Sequence, residues 1–208
     1  MKKLCIALAA VFALSAAASA EVGVGLKLGM FKQSDNLDKT FAWDSSDKIS
    51  DDKYFGGLEF LFQDYFATNS MIGFKVGAEM RAPLKRTITA LPGGPYLKND
   101  LYTFPVTLYY KYAPTCFPLE FWLGGGVSAG YSKWTSNYVT GSTTASSMIV
   151  FPHLNAGLEL RASDHIGIGI DGAYNFNAKS AEDFGVGRAN YKRDISGLEG
   201  NLALRYYF

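Results

Sequence analysis

Beyond its first twenty residues the chain has no segment that comes near eighteen uninterrupted apolar residues, so no helix of that part is expected to cross a membrane. Cysteine is scarce: Cys5 and Cys116 are the two, and loss of the segment that holds Cys5 would leave a single thiol and no intramolecular disulfide. An excess of one charge is missing as well. Lys and Arg number 20 against 19 Asp and Glu, a balance that argues against nucleic acid as a partner. Histidine is limited to His153 and His165, which restricts general-base catalysis. Gly124-Gly125-Gly126 is not followed by a helical pattern and so is no phosphate loop. No catalytic, metal-ligating or cofactor-binding set emerges from these residues.

What is present starts at the N-terminus. Met1-Lys2-Lys3 is basic, Leu4 to Leu14 is apolar, and Ala18-Ser19-Ala20 is a small-x-small site, which together predict a secretory signal peptide over residues 1–20 and one domain over 21–208. Its removal takes two lysines and leaves 18 basic against 19 acidic residues. Aromatics at 15% and 22 glycines suit a β-barrel better than a helical bundle.

The main signal is a period of two. In residues 21–31, Val22, Val24, Leu26, Leu28 and Met30 alternate with Glu21, Gly23, Gly25, Lys27 and Gly29. Residues 54–63, 71–81, 101–112, 119–132, 150–162 and 166–176 repeat the pattern, and 196–208 closes it with Leu198, Leu202, Leu204, Tyr206 and Phe208 against Glu199, Asn201, Ala203 and Arg205. One face is greasy and the other carries glycine and charge, as in a strand with lipid on one side and a polar interior on the other. A soluble ligand-binding barrel inverts that arrangement. The expected fold is all-β, an eight-stranded antiparallel up-and-down transmembrane barrel.

Connections 64–70, 113–118 and 163–165 are short, whereas 32–53, 82–100, 133–149 and 177–194 are long and polar. Pro105 and Pro152 fall inside predicted strands and are expected at bulges or strand starts near the long-loop rim. Two aromatic girdles are expected: Phe62, Tyr110, Tyr112, Phe121, Tyr206 and Phe208 at the short-turn end, and Tyr54, Tyr102, Tyr131, Trp134, Tyr174 and Phe176 at the other.

The inward parity collects Glu21, Glu59, Glu79, Glu120, Glu159, Asp171 and Glu199 with Lys27, Lys75, Arg81, Lys111, Arg161 and Arg205. Charges in so narrow an interior must pair. Counting outward from the short turns places Glu59 opposite Lys75 and Lys111 opposite Glu120. Glu159, Arg161, Glu199 and Arg205 complete the expected lumen ion pairs, the last two near Glu21 and Lys27. His153 is expected to hydrogen-bond Asn175.

The ending at Tyr206 and Phe208 resembles the C-terminal recognition strand of bacterial outer-membrane barrels, and the mature chain, including Phe104 to Tyr112, resembles the small eight-stranded outer-membrane proteins of the OmpA, OmpX and OmpW type. That resemblance implies an integral outer-membrane location with both termini periplasmic. It implies outer-membrane lipid, lipopolysaccharide and the barrel-assembly machinery as partners, with Lys85, Arg86, Arg188, Lys192 and Arg193 placed to meet lipopolysaccharide phosphates, and an unidentified ligand for the extracellular loops. The expected role is structural or surface-interacting and non-enzymatic, without a cofactor. A narrow channel for small or hydrophobic solutes, to which inward Leu61, Trp122, Phe151 and Ile195 lend support, is the alternative, and a lipid A-modifying enzyme a less favoured one.

Overall fold

The computed structural model describes residues 20–31, 48–50, 54–87, 96–138, 141–183 and 190–208. All of the predicted leader except Ala20 lies outside the described residues, as does Arg188. Among the described residues eleven strands follow one another: β1 (Glu21–Phe31), β2 (Lys48–Ser50), β3 (Tyr54–Ala67), β4 (Ser70–Thr87), β5 (Tyr96–Tyr112), β6 (Leu119–Tyr138), β7 (Gly141–Arg161), β8 (Ile166–Asn175), β9 (Lys179–Asp183), β10 (Asn190–Asp194) and β11 (Gly197–Tyr207). Eight of them form a closed antiparallel ring in the order β4-β3-β1-β11-β8-β7-β6-β5, with β5 returning to β4. Closure satisfies the ring's ladders without leaving an edge at that level. The last strand joins the first from Gly23 opposite Tyr207 to Phe31 opposite Glu199.

The alternation sorts the side chains as successive Cβ positions must. Leu26, Leu28, Leu58, Ile72, Leu108, Leu123, Leu154, Ile170 and Leu202 are exposed on the outside, while every predicted lumen cation except the half-buried Arg161 is buried. On β7 the outward apolar side chains run from Met148 to Leu160, a span that tilted strands convert into the apolar band of about 25 Å that such barrels present to lipid. Tyr54, Tyr102, Tyr131, Tyr174 and Phe176 are exposed near the long-loop end of that band, and Tyr110, Tyr112, Phe121, Tyr206 and Phe208 near the other. Two aromatics leave the expected girdles. Trp134 shares the parity of Ser132 and Ser136 and is buried inside the strand array, and Phe62 is covered by stacking on Phe74 at 4.7 Å.

The predicted loops are where the structure differs most. Residues 82–87 and 96–100 belong to β4 and β5, and 133–138 and 141–149 to β6 and β7, so two of the four long connections are mainly ladder rather than loop. The Ser and Thr residues that read as loop composition also suit a strand standing in water. A bulge separates Arg81 from Leu84 in the β4–β5 ladder; it holds Pro83 and switches parity, so that Leu84 points inward. β2 adds to the outer part of β4, and β9 pairs with β10 as a separate hairpin. The turn before β4 shrinks to Thr68 and Asn69, the latter with a left-handed φ of 65°.

Neither Pro105 nor Pro152 marks a bulge or a strand start, since both sit within unbroken registers. Pro105 lies opposite Gly77, where the β4–β5 pairing skips two positions; a Cβ on Gly77 would stand 2.9 Å from the proline Cγ. Pro152 lies one residue past the end of the β7–β8 ladder, and its carbonyl accepts a 3.0 Å bond from the Phe176 amide. Each missing donor thus falls where a ladder is already interrupted.

Close strand approach is most demanding at Gly126, whose added Cβ would overlap the Val106 carbonyl oxygen. Gly126→Ala is expected to lower the unfolding free energy in detergent by about 1–3 kcal/mol or more, as overpacking does. Gly200→Ala, with nothing within 4 Å of the new methyl, is expected to leave the denaturant midpoint unchanged.

Candidate functional site: the lumen and its mouth

From the short-turn end upward, the interior is filled by charges on strands that are mostly not neighbours. Arg161 of β7 donates to Glu21 at 2.8 and 2.6 Å, reaches Glu120 at 3.1 Å and lies over the Tyr207 ring at 3.6 Å. Gln63 also donates to Glu21. Lys111 donates to Glu120 at 2.7 Å and stands 3.4 Å from Glu159, to which the Tyr207 hydroxyl donates at 2.6 Å.

One step higher, Arg205 of β11 spreads its guanidinium over three strands: Nε donates to Glu59 at 2.6 Å, one terminal nitrogen to Glu159 at 2.7 Å, and the other to Asp171. Lys27 bonds Glu79 at 2.6 Å and stands 3.7 Å from Glu59, and Thr103 donates to Glu79 at 2.9 Å. Above these, Arg81 and Asn175 both donate to Glu199, the latter at 2.6 Å.

Three expected partnerships are replaced, and a fourth, Lys111 with Glu120, forms from a shifted register. Glu59 does not face Lys75: the ladder sets Glu59 opposite Gly77 and Lys75 opposite Leu61, Glu59 is taken by Arg205 and Lys27, and the Lys75 ammonium lies 3.6 Å above the Trp122 ring. Lys111 likewise faces Trp122 rather than Glu120, and its long side chain reaches the glutamate diagonally. Arg205 and Glu199 do not meet Glu21 or Lys27; their ladder partners on β1 are Gly25 and Phe31. The two ring nitrogens of His153 lie 2.9 Å from the hydroxyls of Thr107 and Ser128, not at Asn175.

Sequence reasoning missed Tyr207, Thr103, Thr107 and Ser128 as members of this network. One signal pointed to the network's place. A Cβ on Gly167 would overlap a Glu159 oxygen, one on Gly169 would stand 2.5 Å from an Arg205 nitrogen, and one on Gly25 2.8 Å from the Glu59 side chain. The inward glycines mark where long charged side chains from other strands lie down.

At the long-loop end the charges stop under an apolar layer of Phe31, Phe55, Leu101, Phe151, Ala178 and Ile195. Ala178 and Ile195 come from the connection between β8 and β11. Asn177, with φ of 49°, turns the chain over the mouth; Ile195 N–H then bonds Ala178 O at 2.9 Å and Ala178 N–H bonds the Ser196 hydroxyl at 2.8 Å. Arg81 lies 5.1 and 5.3 Å below the rings of Phe31 and Phe55. Between the layers remains a cavity of about 30 Å³ bordered by Lys75, Trp122, Ser128, His153, Asn155 and Asp171. That is room for a water or two, which Asp171 Oδ1, Asn155 Oδ1 and Trp122 Nε1 need, having no protein partner. Among the described residues no group of three His, Cys, Asp or Glu is placed to hold a metal ion.

Truncating Arg205 strands three buried carboxylates, whereas Lys75 rests on a ring. Arg205→Met is expected to cost about 3–5 kcal/mol in denaturant unfolding from detergent, and Lys75→Met clearly less.

The ring geometry has solved counterparts. Over 90% of this chain and 96% of the other, it is similar to Ail, the attachment invasion locus protein of Yersinia pestis, with a TM-score of 0.52 and 13% identity. OprG from Pseudomonas aeruginosa matches over 92% and 96%, at 0.51 and 17%. A major outer membrane protein from Thermus thermophilus matches over 91% and 100%, at 0.58 and 14%. At these identities the likeness is one of fold. No curated protein matches the chain in sequence. Residues 4–206 match the outer membrane protein beta-barrel domain, and the chain therefore belongs to that family of bacterial outer-membrane barrels.

Proposed function

We propose that this protein is a closed, non-conducting outer-membrane barrel whose filled interior confers rigidity and whose long-loop end carries its structural and surface contacts. The observation that supports this reading is the stack of a cross-strand charge lattice beneath an apolar mouth layer, with space between them for no more than a water or two. The short turns and both termini then face the periplasm, and β2, the β9–β10 hairpin and the outer parts of β4 to β7 face outward.

The channel reading has less support. Leu61 and Trp122 are interrupted by Lys75, Lys111 and Arg205 around the same space, and Phe151 and Ile195 belong to the mouth layer instead of a continuous path. For a lipid-modifying enzyme the Ser128–His153 contact is the nearest thing to a nucleophile and base, but both residues are buried in the lumen, away from lipid, and the second ring nitrogen faces Thr107 rather than a carboxylate.

Partners follow from the outer surface. Lys85 stands directly opposite Lys98 on the long-loop side of Tyr102 and Tyr131, a like-charge pair that lipopolysaccharide phosphates would relieve. A hydrogen bond to Asp100 at 2.8 Å, aided by its charge, raises the Lys98 ammonium above its ordinary value and keeps it cationic. Tyr206 and Phe208, alternating on the lipid face, would be read there by the assembly machinery.

The refolded protein in a planar bilayer is expected to give no discrete conductance steps. Reproducible openings of the unmodified protein would remove the closed-barrel reading in favour of the channel.

A further inference from the structure

The two rims of the barrel differ in charge. The exposed cations Lys85, Lys133 and Lys179 and the half-exposed Lys98 stand at the long-loop end. The turns of the other rim, residues 68–69, 113–118 and 162–165, contain no Lys or Arg, and their one acid is the exposed Asp164. Arg161, where β7 ends, is engaged by Glu21 and Glu120. A rim of this kind offers nothing to an anionic head group.

On the lipid face above the 162–165 turn lies a groove. Ladder pairing sets Val24 beside Tyr206, Leu26 between Leu58 and Leu204, and Ile166 beside Tyr206. Around Val24, the shortest of the six, these side chains border a space of about 280 Å³ whose one polar group among them is the Tyr206 hydroxyl. Its rim end meets the turn. The His165 ring stacks on Tyr206 at 5.7 Å, its backbone oxygen accepts from the Tyr207 amide at 2.8 Å, and its Nδ1 donates to the Tyr207 carbonyl at 2.9 Å. With the hydrogen on Nδ1, Nε2 of the neutral ring is an acceptor. Ser163 Oγ accepts from the amides of His165 and Ile166 at 3.3 and 3.1 Å, which leaves its own hydrogen for an outside acceptor. The end of the groove thus presents two acceptors, Asp164 and His165 Nε2, and two hydroxyl donors, Ser163 and Tyr206.

We propose that the groove and the turn together bind one phospholipid with a primary-amine head group, a phosphatidylethanolamine of the leaflet at the short-turn end. One acyl chain lies over Val24, between Leu26, Leu204 and Ile166. The phosphate accepts from the hydroxyls of Ser163 and Tyr206, and the ammonium donates to Asp164 and His165 Nε2. An anionic head group without an amine would meet Asp164 with like charge, and a quaternary ammonium has no hydrogen to donate. The proposal rests on the closed-barrel reading only through its orientation, which decides the leaflet that supplies the lipid. Its failure leaves the bilayer conductance result intact, and discrete conductance steps would leave the lipid site intact.

The test is native mass spectrometry of the full chain released from nanodiscs that hold equal parts of phosphatidylethanolamine, phosphatidylcholine and phosphatidylglycerol with identical acyl chains. Both leaflets then have one composition, so the readout does not depend on orientation. One phosphatidylethanolamine is expected to stay bound about tenfold more often than either competitor, the effect of one charge-assisted hydrogen bond. Asp164→Asn, in an exposed turn, is expected to bring its retention down to the phosphatidylcholine level. Val24→Trp, which fills the groove from an outward position, is expected to lower retention of all three lipids while the thermal midpoint stays unchanged. Equal retention of the three lipids, a preference for phosphatidylglycerol, or retention unchanged in either variant would overturn the proposal.

Discussion

Inside a ring too narrow for bulk water a guanidinium must be neutralised by carboxylates, and Arg205 draws them from Glu59 on β3, Glu159 on β7 and Asp171 on β8. The residue stands on the strand that closes the ring, so the interaction that neutralises it also ties that strand to three others, two of them not its neighbours. Its neighbours inherit the arrangement. Glu59 is shared with Lys27, Glu159 with Lys111 and Tyr207, and each carboxylate would be an uncompensated buried charge without the next cation. The glycines at 25, 167 and 169 are the space this lattice occupies, which is why the lumen side of these strands alternates glycine with charge.

The lattice ends where the mouth layer begins, and the same few residues shape both the closed lumen and the outer edge. Asn177 turns the chain inward so that Ala178 and Ile195 can bury against Phe31, Phe55 and Phe151. That turn takes β8 away from β7 at His153, short of Val150 and Met148, where the outward apolar side chains of β7 end. Closing the lumen and exposing the β7 edge are thus two results of one backbone excursion. The interior is filled by side chains while hydrogen-bonding potential is left on the outside.

The sequence made the strands and their faces legible because parity is a local property: Leu26 and Lys27 point apart whatever the rest of the chain does. It misled in two identifiable ways. Loop composition at 133–149 was indistinguishable from a water-exposed ladder, since Ser and Thr serve both. Register counted from the turns slipped by two residues, Glu59 facing Gly77 and Lys111 facing Trp122: the turn before β4 lies nearer Asn69 and carries a bulge between Tyr65 and Ala67, and Ala113 bonds back to Asn69 at 2.9 Å instead of across its own hairpin.

By itself the sequence determined that this protein is a membrane barrel with a charged interior, because period-two alternation of apolar residues with glycine and charge has one physical solution when water is absent on the outer side. Tertiary structure alone decided which charges meet, that Lys75 rests on Trp122, and that the mouth is shut. The reason is separation: Arg205 and Glu59 are 146 positions apart on strands that share no ladder, and their meeting depends on ring closure, stagger and the depth to which each long side chain reaches.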